Sequence, residues 1–177
     1  ELQNFIHVYE QLPDVILPKL RYSRVTAAID VIGKSDEEIT KLANTNPAGL
    51  NVEEILYAAT LTDDNNKRMA IYEEAVKLYP NDYRTWNDLG LTQYVAGKYN
   101  DAKQSFAKAQ SIAPNAAEPQ MNLGLIELLN GNYANANKYF GAAGGQQGLG
   151  DALGTYYLKM GDNAAAARAF GNSKSNN

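Results

Sequence analysis

Residues 83–116 read YRTWNDLGLTQYVAGKYNDAKQSFAKAQSIAPNA, and residues 117–150 read AEPQMNLGLIELLNGNYANANKYFGAAGGQQGLG. Set one above the other, Trp86, Leu89, Gly90, Gly97, Tyr99, Ala102, Phe106, Ala109 and Pro114 return 34 positions later as Gln120, Leu123, Gly124, Gly131, Tyr133, Ala136, Phe140, Ala143 and Gly148, so seven of the nine keep their residue. A period of this length is one helix–turn–helix unit, which cannot bury its apolar face alone and must stack on its neighbours. Gly90 and Ala102 supply little or no side chain where the two helices of a hairpin cross, while Trp86, Leu89, Tyr99 and Phe106 fill the space around them. Trp86 is therefore expected to be buried between its own and the neighbouring unit. Gly97, Gly131 and Gly161 each end one apolar helical stretch before the next begins, and a left-handed backbone is expected at these turns.

The pattern resembles the tetratricopeptide repeat (TPR) family. That resemblance implies an all-α, right-handed solenoid of about four units with a concave surface that binds proteins or peptides more often than it performs chemistry. The units fall near 49–82, 83–116, 117–146 and 147–170, followed by a polar tail, 171–177. The first is degenerate: Ile55, Leu56, Tyr72, Ala75 and Pro80 match, but its turn is Thr62-Asp63-Asp64-Asn65 and Arg68 takes the small position. In the fourth, Leu153, Gly154, Tyr157, Gly161, Ala166 and Phe170 match after a slip of four residues within the glycine-rich stretch 141–150. The Ala-rich segment 164–170 lacks the polar outer face with which solenoids end, which points to an array that has been cut.

Residues 1–48 have a different pattern. Leu2, Phe5, Ile6, Tyr9 and Leu12 have the spacing of one helix face, stopped by Pro13 or Pro18. Val25, Ala27, Ile29 and Val31 alternate with Thr26, Ala28 and Asp30 up to Gly33, the pattern of a strand that needs a partner. Ser35 and Glu38 form a capping box that opens a helix carrying Ile39 and Leu42 and ending before Asn46-Pro47. Residues 21–33, Arg-Tyr-Ser-Arg-Val through Val-Ile-Gly, resemble the closing strand of OmpA-like periplasmic domains. This implies a bacterial envelope protein, periplasmic or associated with the outer membrane, with 1–48 as the remnant of an upstream α/β domain.

Composition and motifs exclude more than they assign. With 45% apolar and 20% charged residues the composition is that of a globular protein, and 16 Lys and Arg against 20 Asp and Glu give a net charge of −4 with no basic patch for nucleic acid. The absence of cysteine removes disulfide and thiolate chemistry. No apolar run reaches the roughly 20 residues that span a bilayer. The chain begins at Glu1 without Met or a cationic signal region, as an excised piece or a mature product does. His7 has no histidine or cysteine partner for metal or base catalysis. Residues 63–66 lack the glycine and closing glutamate of a calcium loop and read as a polar turn capping the next helix, and the glycines of 144–154 lack the strand and Lys-Ser/Thr of a phosphate loop. No cofactor, metal or catalytic site is expected.

In TPR proteins the ninth, twelfth and thirteenth positions of a unit tend to face inward. Here they are Leu91, Tyr94 and Val95, then Leu125, Leu128 and Leu129, then Thr155, Leu158 and Lys159. This apolar stripe is the expected partner groove, unless residues 1–48 cover it. The cationic clamp by which some TPR domains hold a C-terminal carboxylate is missing: Asn122 matches its middle asparagine, but Asn87, Leu91, Gly148 and Ala152 stand elsewhere in it. The expected function is a non-enzymatic interaction scaffold with a protein or peptide partner in an envelope assembly. The alternative is a self-associating module, such as a homodimer, whose stripe and strand are buried by another copy.

Overall fold

The computed structural model describes residues 33–144 and 148–174. The amphipathic segment 2–12, the strand expected at 25–32, the stretch resembling OmpA-like domains up to Ile32, and His7 lie outside the described residues. The described residues form nine α-helices: α1 (Asp36–Thr45), α2 (Val52–Thr60), α3 (Asn65–Leu78), α4 (Tyr83–Val95), α5 (Tyr99–Ile112), α6 (Ala117–Leu129), α7 (Tyr133–Ala142), α8 (Leu149–Lys159) and α9 (Asn163–Lys174), with a short 3-10 turn at Pro47–Gly49. There is no strand among the described residues. From α2 onward the helices form four hairpins, and each helix packs chiefly on its neighbours in the chain. This is the nearest-neighbour connectivity of a solenoid.

Local chemistry sets the boundaries. At α1 the Ser35 hydroxyl accepts from the Glu38 amide while the Glu38 carboxylate accepts from the Ser35 amide, completing the capping box. Asn51 and Glu54 repeat the device at α2. Asp64 caps α3 by accepting from the amides of Asn66 and Lys67, so the polar turn at 63–66 works as a helix start. Gly97, Gly131 and Gly161 have φ of 76°, 74° and 79°. Around each, the two bonds of a Schellman end recur: Lys98 N–H to Gln93 O and Gly97 N–H to Tyr94 O, then Asn132 to Glu127 and Gly131 to Leu128, then Asp162 to Tyr157 and Gly161 to Leu158.

The first hairpin has no such glycine. There Arg68, at the position Ala102 and Ala136 hold in later units, turns its guanidinium onto the free end of α2, with Nε donating to Ala59 O at 3.1 Å and Nη2 to Thr62 O. The cation thus takes the Ala59 carbonyl, the counterpart of the Gln93 carbonyl that the Lys98 amide satisfies at a glycine turn, and adds the Thr62 carbonyl of the turn itself.

Inside each later hairpin, a phenylalanine lies flat on a glycine. A Cβ on Gly90 would come within 2.6 Å of the Phe106 ring, one on Gly124 within 2.5 Å of Phe140, and one on Gly154 within 2.5 Å of Phe170. Phe106 and Phe140 are both 1% exposed because the first helix of the next unit covers them. The four-residue slip before the fourth unit is a shortening of the second helix: α7 has 10 residues where α5 has 14. That is about one helical turn.

Two expectations are corrected. Trp86 is only half-buried, and its indole N–H donates to Pro80 O at 2.9 Å. At the equivalent place Gln120 Nε2 donates to Pro114 O at 3.1 Å, so the position serves as an anchor to the preceding loop and Thr85, 0% exposed, fills the interior beside it. The fourth hairpin also runs past Phe170: Gly171 and Asn172 continue α9, which ends at Lys174, and no proline follows Phe170 to stop it.

Candidate interaction surface

The first helix of each unit buries one face and leaves another open. In α4 Thr85, Leu89 and Thr92 are buried, and in α6 Pro119, Asn122, Leu123 and Ile126, positions separated by three and four residues that form one stripe. The opposite stripe contains the residues expected to form the groove, which the structure divides into two groups.

Leu91 is 40% exposed, Val95 74%, Leu129 48% and Leu158 51%. Thr155 is exposed, its hydroxyl donating to Asp151 O at 2.9 Å. Leu125 is half-buried at the edge of the cluster around Phe140. Tyr94 is half-buried too, its ring 5.4 Å from that of Tyr99 in an edge contact, and burial raises its phenol pKa. Leu128 does not belong to the surface. It is 3% exposed and packs in one cluster with Ala136, Phe140 and Ala152, where the two alanines leave room for its side chain.

What remains is a pair of rows. The ninth positions are Tyr57, Leu91, Leu125 and Thr155, and the thirteenth are Leu61, Val95, Leu129 and Lys159, each pair four residues apart on one helix and so on the same side of it. Tyr57 is 44% exposed and Leu61 36%, so the apolar pair already starts in the degenerate first unit. Neither was expected from the sequence, although stepping the 34-residue period back from Leu91 and Val95 lands on them. At this end the rows meet α1: Tyr57 Oη donates to Asp36 Oδ1 at 3.1 Å, and Leu61 lines a cleft with Asp36, Glu37, Thr40, Lys41 and Asn44. At the other end Thr155 and Lys159 make the face polar. Apolar pairs therefore occupy these positions in three consecutive units, both members exposed in the first two and Leu129 alone in the third, where Leu125 is half-buried.

Beneath this face runs a polar seam. Asn122 Nδ2 donates to Asn87 Oδ1 at 2.9 Å across the α4–α6 contact, and Asn87 Nδ2 donates to Asp88 Oδ1 at 3.2 Å. Burial raises the Asp88 carboxyl above its ordinary pKa. Burial, and after it the nearby Asp88 charge, pushes the Tyr72 phenol up to about 12. Glu127, 5% exposed, is held below the usual carboxylate range, first by the hydrogen bond from Lys103 Nζ at 2.7 Å, with Asn132 Nδ2 adding a second at 2.8 Å. These groups tie helices to one another. No cluster of His, Cys, Asp and Glu suited to a metal occurs among the described residues, and no helix there is long and apolar enough to cross a membrane.

Comparison with known proteins fits this geometry. Residues 71–104 match the tetratricopeptide repeat family model. Among solved structures, the chain is similar to MamA, with a TM-score of 0.60 and 18% identity over 79% of this chain and 85% of that one. It is also similar to TTC0263, a thermophilic TPR protein of Thermus thermophilus, with a TM-score of 0.63 and 17% identity over 78% and 79%. A tetratricopeptide repeat protein of Parabacteroides merdae gives a TM-score of 0.64 at 18% identity, over 79% of this chain and 57% of that one. At such identities the likeness establishes the fold, an α-solenoid of TPR type. No curated protein sequence matches the chain.

Proposed function

We propose that the protein is a non-enzymatic scaffold that binds a protein partner through the face formed by Tyr57, Leu61, Leu91, Val95, Leu125 and Leu129. The TPR-type fold supports a role in protein–protein interaction generally. The observation that carries the finer reading is the recurrence of an apolar pair at the ninth and thirteenth positions of three successive units, with every member but the half-buried Leu125 exposed. Single exposed leucines are ordinary on protein surfaces, whereas a contiguous apolar strip is a feature of contact sites. An extended or helical partner segment with apolar side chains at regular intervals suits such rows. The setting in a bacterial envelope rests on the sequence of residues 21–33 alone.

The test is a double substitution, Val95→Asp with Leu129→Asp. Both side chains are exposed, so the fold should tolerate the charges. Partners retained by the immobilised wild-type protein are identified, purified and titrated against both forms by calorimetry. The reading expects a loss of affinity of tenfold or more in the variant with an unchanged circular-dichroism spectrum. Equal affinity of the two forms for every partner would refute the assignment of this face.

A further inference from the structure

We propose that the partner face selects a cationic segment: a lysine or arginine of the partner protein donates to the Asp88 carboxylate while the apolar side chains beside it lie on Leu91 and Leu125. The inference rests on the partner face proposed above and adds the chemistry of what binds there. Its starting point is the repeat. Glu54, Asp88 and Asn122 stand 34 residues apart, each three residues ahead of a member of the ninth-position row, Tyr57, Leu91 and Leu125. Residues at that spacing share one side of a helix, so a polar row borders the apolar one.

In the first unit the row has its cation. Lys34, from the chain ahead of α1, reaches α2, and its Nζ donates to both oxygens of Glu54 at 2.8 and 2.9 Å. In the second unit the equivalent carboxylate, Asp88, is half-buried and accepts from Asn87 Nδ2, but it forms no ion pair among the described residues. Arg84, whose charge is felt at Asp88, has its guanidinium held by Asp82 at 2.7 Å and Glu53 at 2.8 Å. Glu118 on α6 brings a further carboxylate without an ion pair among the described residues. Burial chiefly raises the Asp88 carboxyl, and the Glu118 charge adds to the rise. In the third unit the amide of Asn122 continues the row. A carboxylate only accepts, so Asn87 turns its N–H to Asp88 and its oxygen to Asn122, whose Nδ2 donates at 2.9 Å. That direction leaves Asn122 Oδ1 as an acceptor. Asn122 is 3% exposed, yet every fully buried side-chain polar atom among the described residues has a partner, so this oxygen, which has none, keeps an edge to solvent. Asp88, Glu118 and Asn122 thus leave acceptors open beside the apolar rows, and the complement of acceptors is an ammonium or guanidinium. A long cationic side chain suits a half-buried carboxylate, since its methylene stem packs on apolar surface while the head donates.

The experiment is calorimetry of the full chain with two synthetic helical peptides that share leucines at i, i+4 and i+7 and differ only in carrying lysine or glutamate at the flanking positions. The lysine peptide should bind about tenfold more tightly or better, and raising the salt from about 0.05 M to about 0.5 M should shrink the difference. The neutral double variant Asp88→Asn, Glu118→Gln should lose the preference with an unchanged circular-dichroism spectrum, because the amide oxygen introduced at position 88 still accepts from Asn87. Val95→Ser with Leu129→Ser should weaken both peptides alike and leave their ratio intact, which reports on the apolar rows separately. Equal affinity of the wild type for the two peptides, a preference for glutamate, no binding of either, or a lysine preference that survives in the neutral variant would each overturn the proposal. Unchanged binding of both peptides in the serine variant would refute the apolar face on which it rests, a failure distinct from loss of the lysine preference.

Discussion

A single methyl group separates glycine from alanine at position 124, and the Phe140 ring leaves no space for it: a Cβ there meets ring carbons at 2.5 and 2.7 Å. Gly124→Ala must displace a fully buried aromatic, and we expect a loss of about 1–3 kcal/mol. Gly97→Ala meets no atom within 4 Å, yet its φ of +76° strains any Cβ, and about 1 kcal/mol should be lost. Gly141→Ala, inside α7 with nothing within 4 Å and no unusual φ, should instead stabilise by about 0.5–1 kcal/mol. Urea unfolding of the three variants checks the order and the signs, and a destabilised Gly141→Ala or a harmless Gly124→Ala would show the packing to be misassigned. The glycine turns were legible in the sequence because the requirement for positive φ is local. Trp86 was not, because a repeat position reveals the kind of residue and not which neighbour covers it. The glutamine at position 120 was the available signal, since a buried core position does not alternate between indole and amide while an anchor to a carbonyl does.

Helix ends and helix-to-helix ties carry their own consequences. Arg68 replaces a glycine turn by donating to two carbonyls at the end of α2. Arg68→Ala leaves them to water and should cost about 1.5–3 kcal/mol, the range for hydrogen bonds to a charged group, whereas Arg68→Lys should recover only part because one ammonium cannot match the fork. Thermal unfolding distinguishes the two, and an unchanged midpoint in Arg68→Ala would remove the cap from the account. Glu127 joins α6 to α5 through Lys103. Its carboxyl is depressed in the folded protein, so the folded state binds the proton less readily than the unfolded chain does. The stabilisation is present above the unfolded value of about 4.3 and is lost as pH falls through the lower folded value. Glu127→Gln should therefore melt earlier than the wild type at pH 7, with the gap narrowing below about pH 4; a gap independent of pH would mean that packing and not charge holds this contact. The degenerate first unit was legible as a unit, but its cap was not, because Arg68 appeared only as a violation of the small-residue rule. Leu128 was misjudged for a related reason. Averaged position rules cannot register that Ala136 and Ala152 leave room in the cluster that takes up its side chain.

At the scale of the molecule, a stack held by contacts between successive helices has no single core to lose. Stability is shared among hairpins and the interfaces between them. Amide exchange should accordingly be fastest in α8 and α9, whose far side has the half-exposed Phe170, and slowest in α4 through α6, which are covered from both directions. Uniform exchange across all units would contradict this picture. The repeat itself was legible end to end because stacking obliges each unit to carry the same contact residues, whereas the partner leaves no comparable imprint on a chain whose exposed positions are free to vary. The shortened α7 has a consequence for how such a chain changes length. Removing four residues from a helix rotates the downstream layers by about 40°, while removing two rotates them by about 200° and presents the wrong side to the next layer. Insertions and deletions at the unit boundaries should then be tolerated in steps of a whole turn, so that the chain lengthens and shortens in quanta set by the pitch of its own helices.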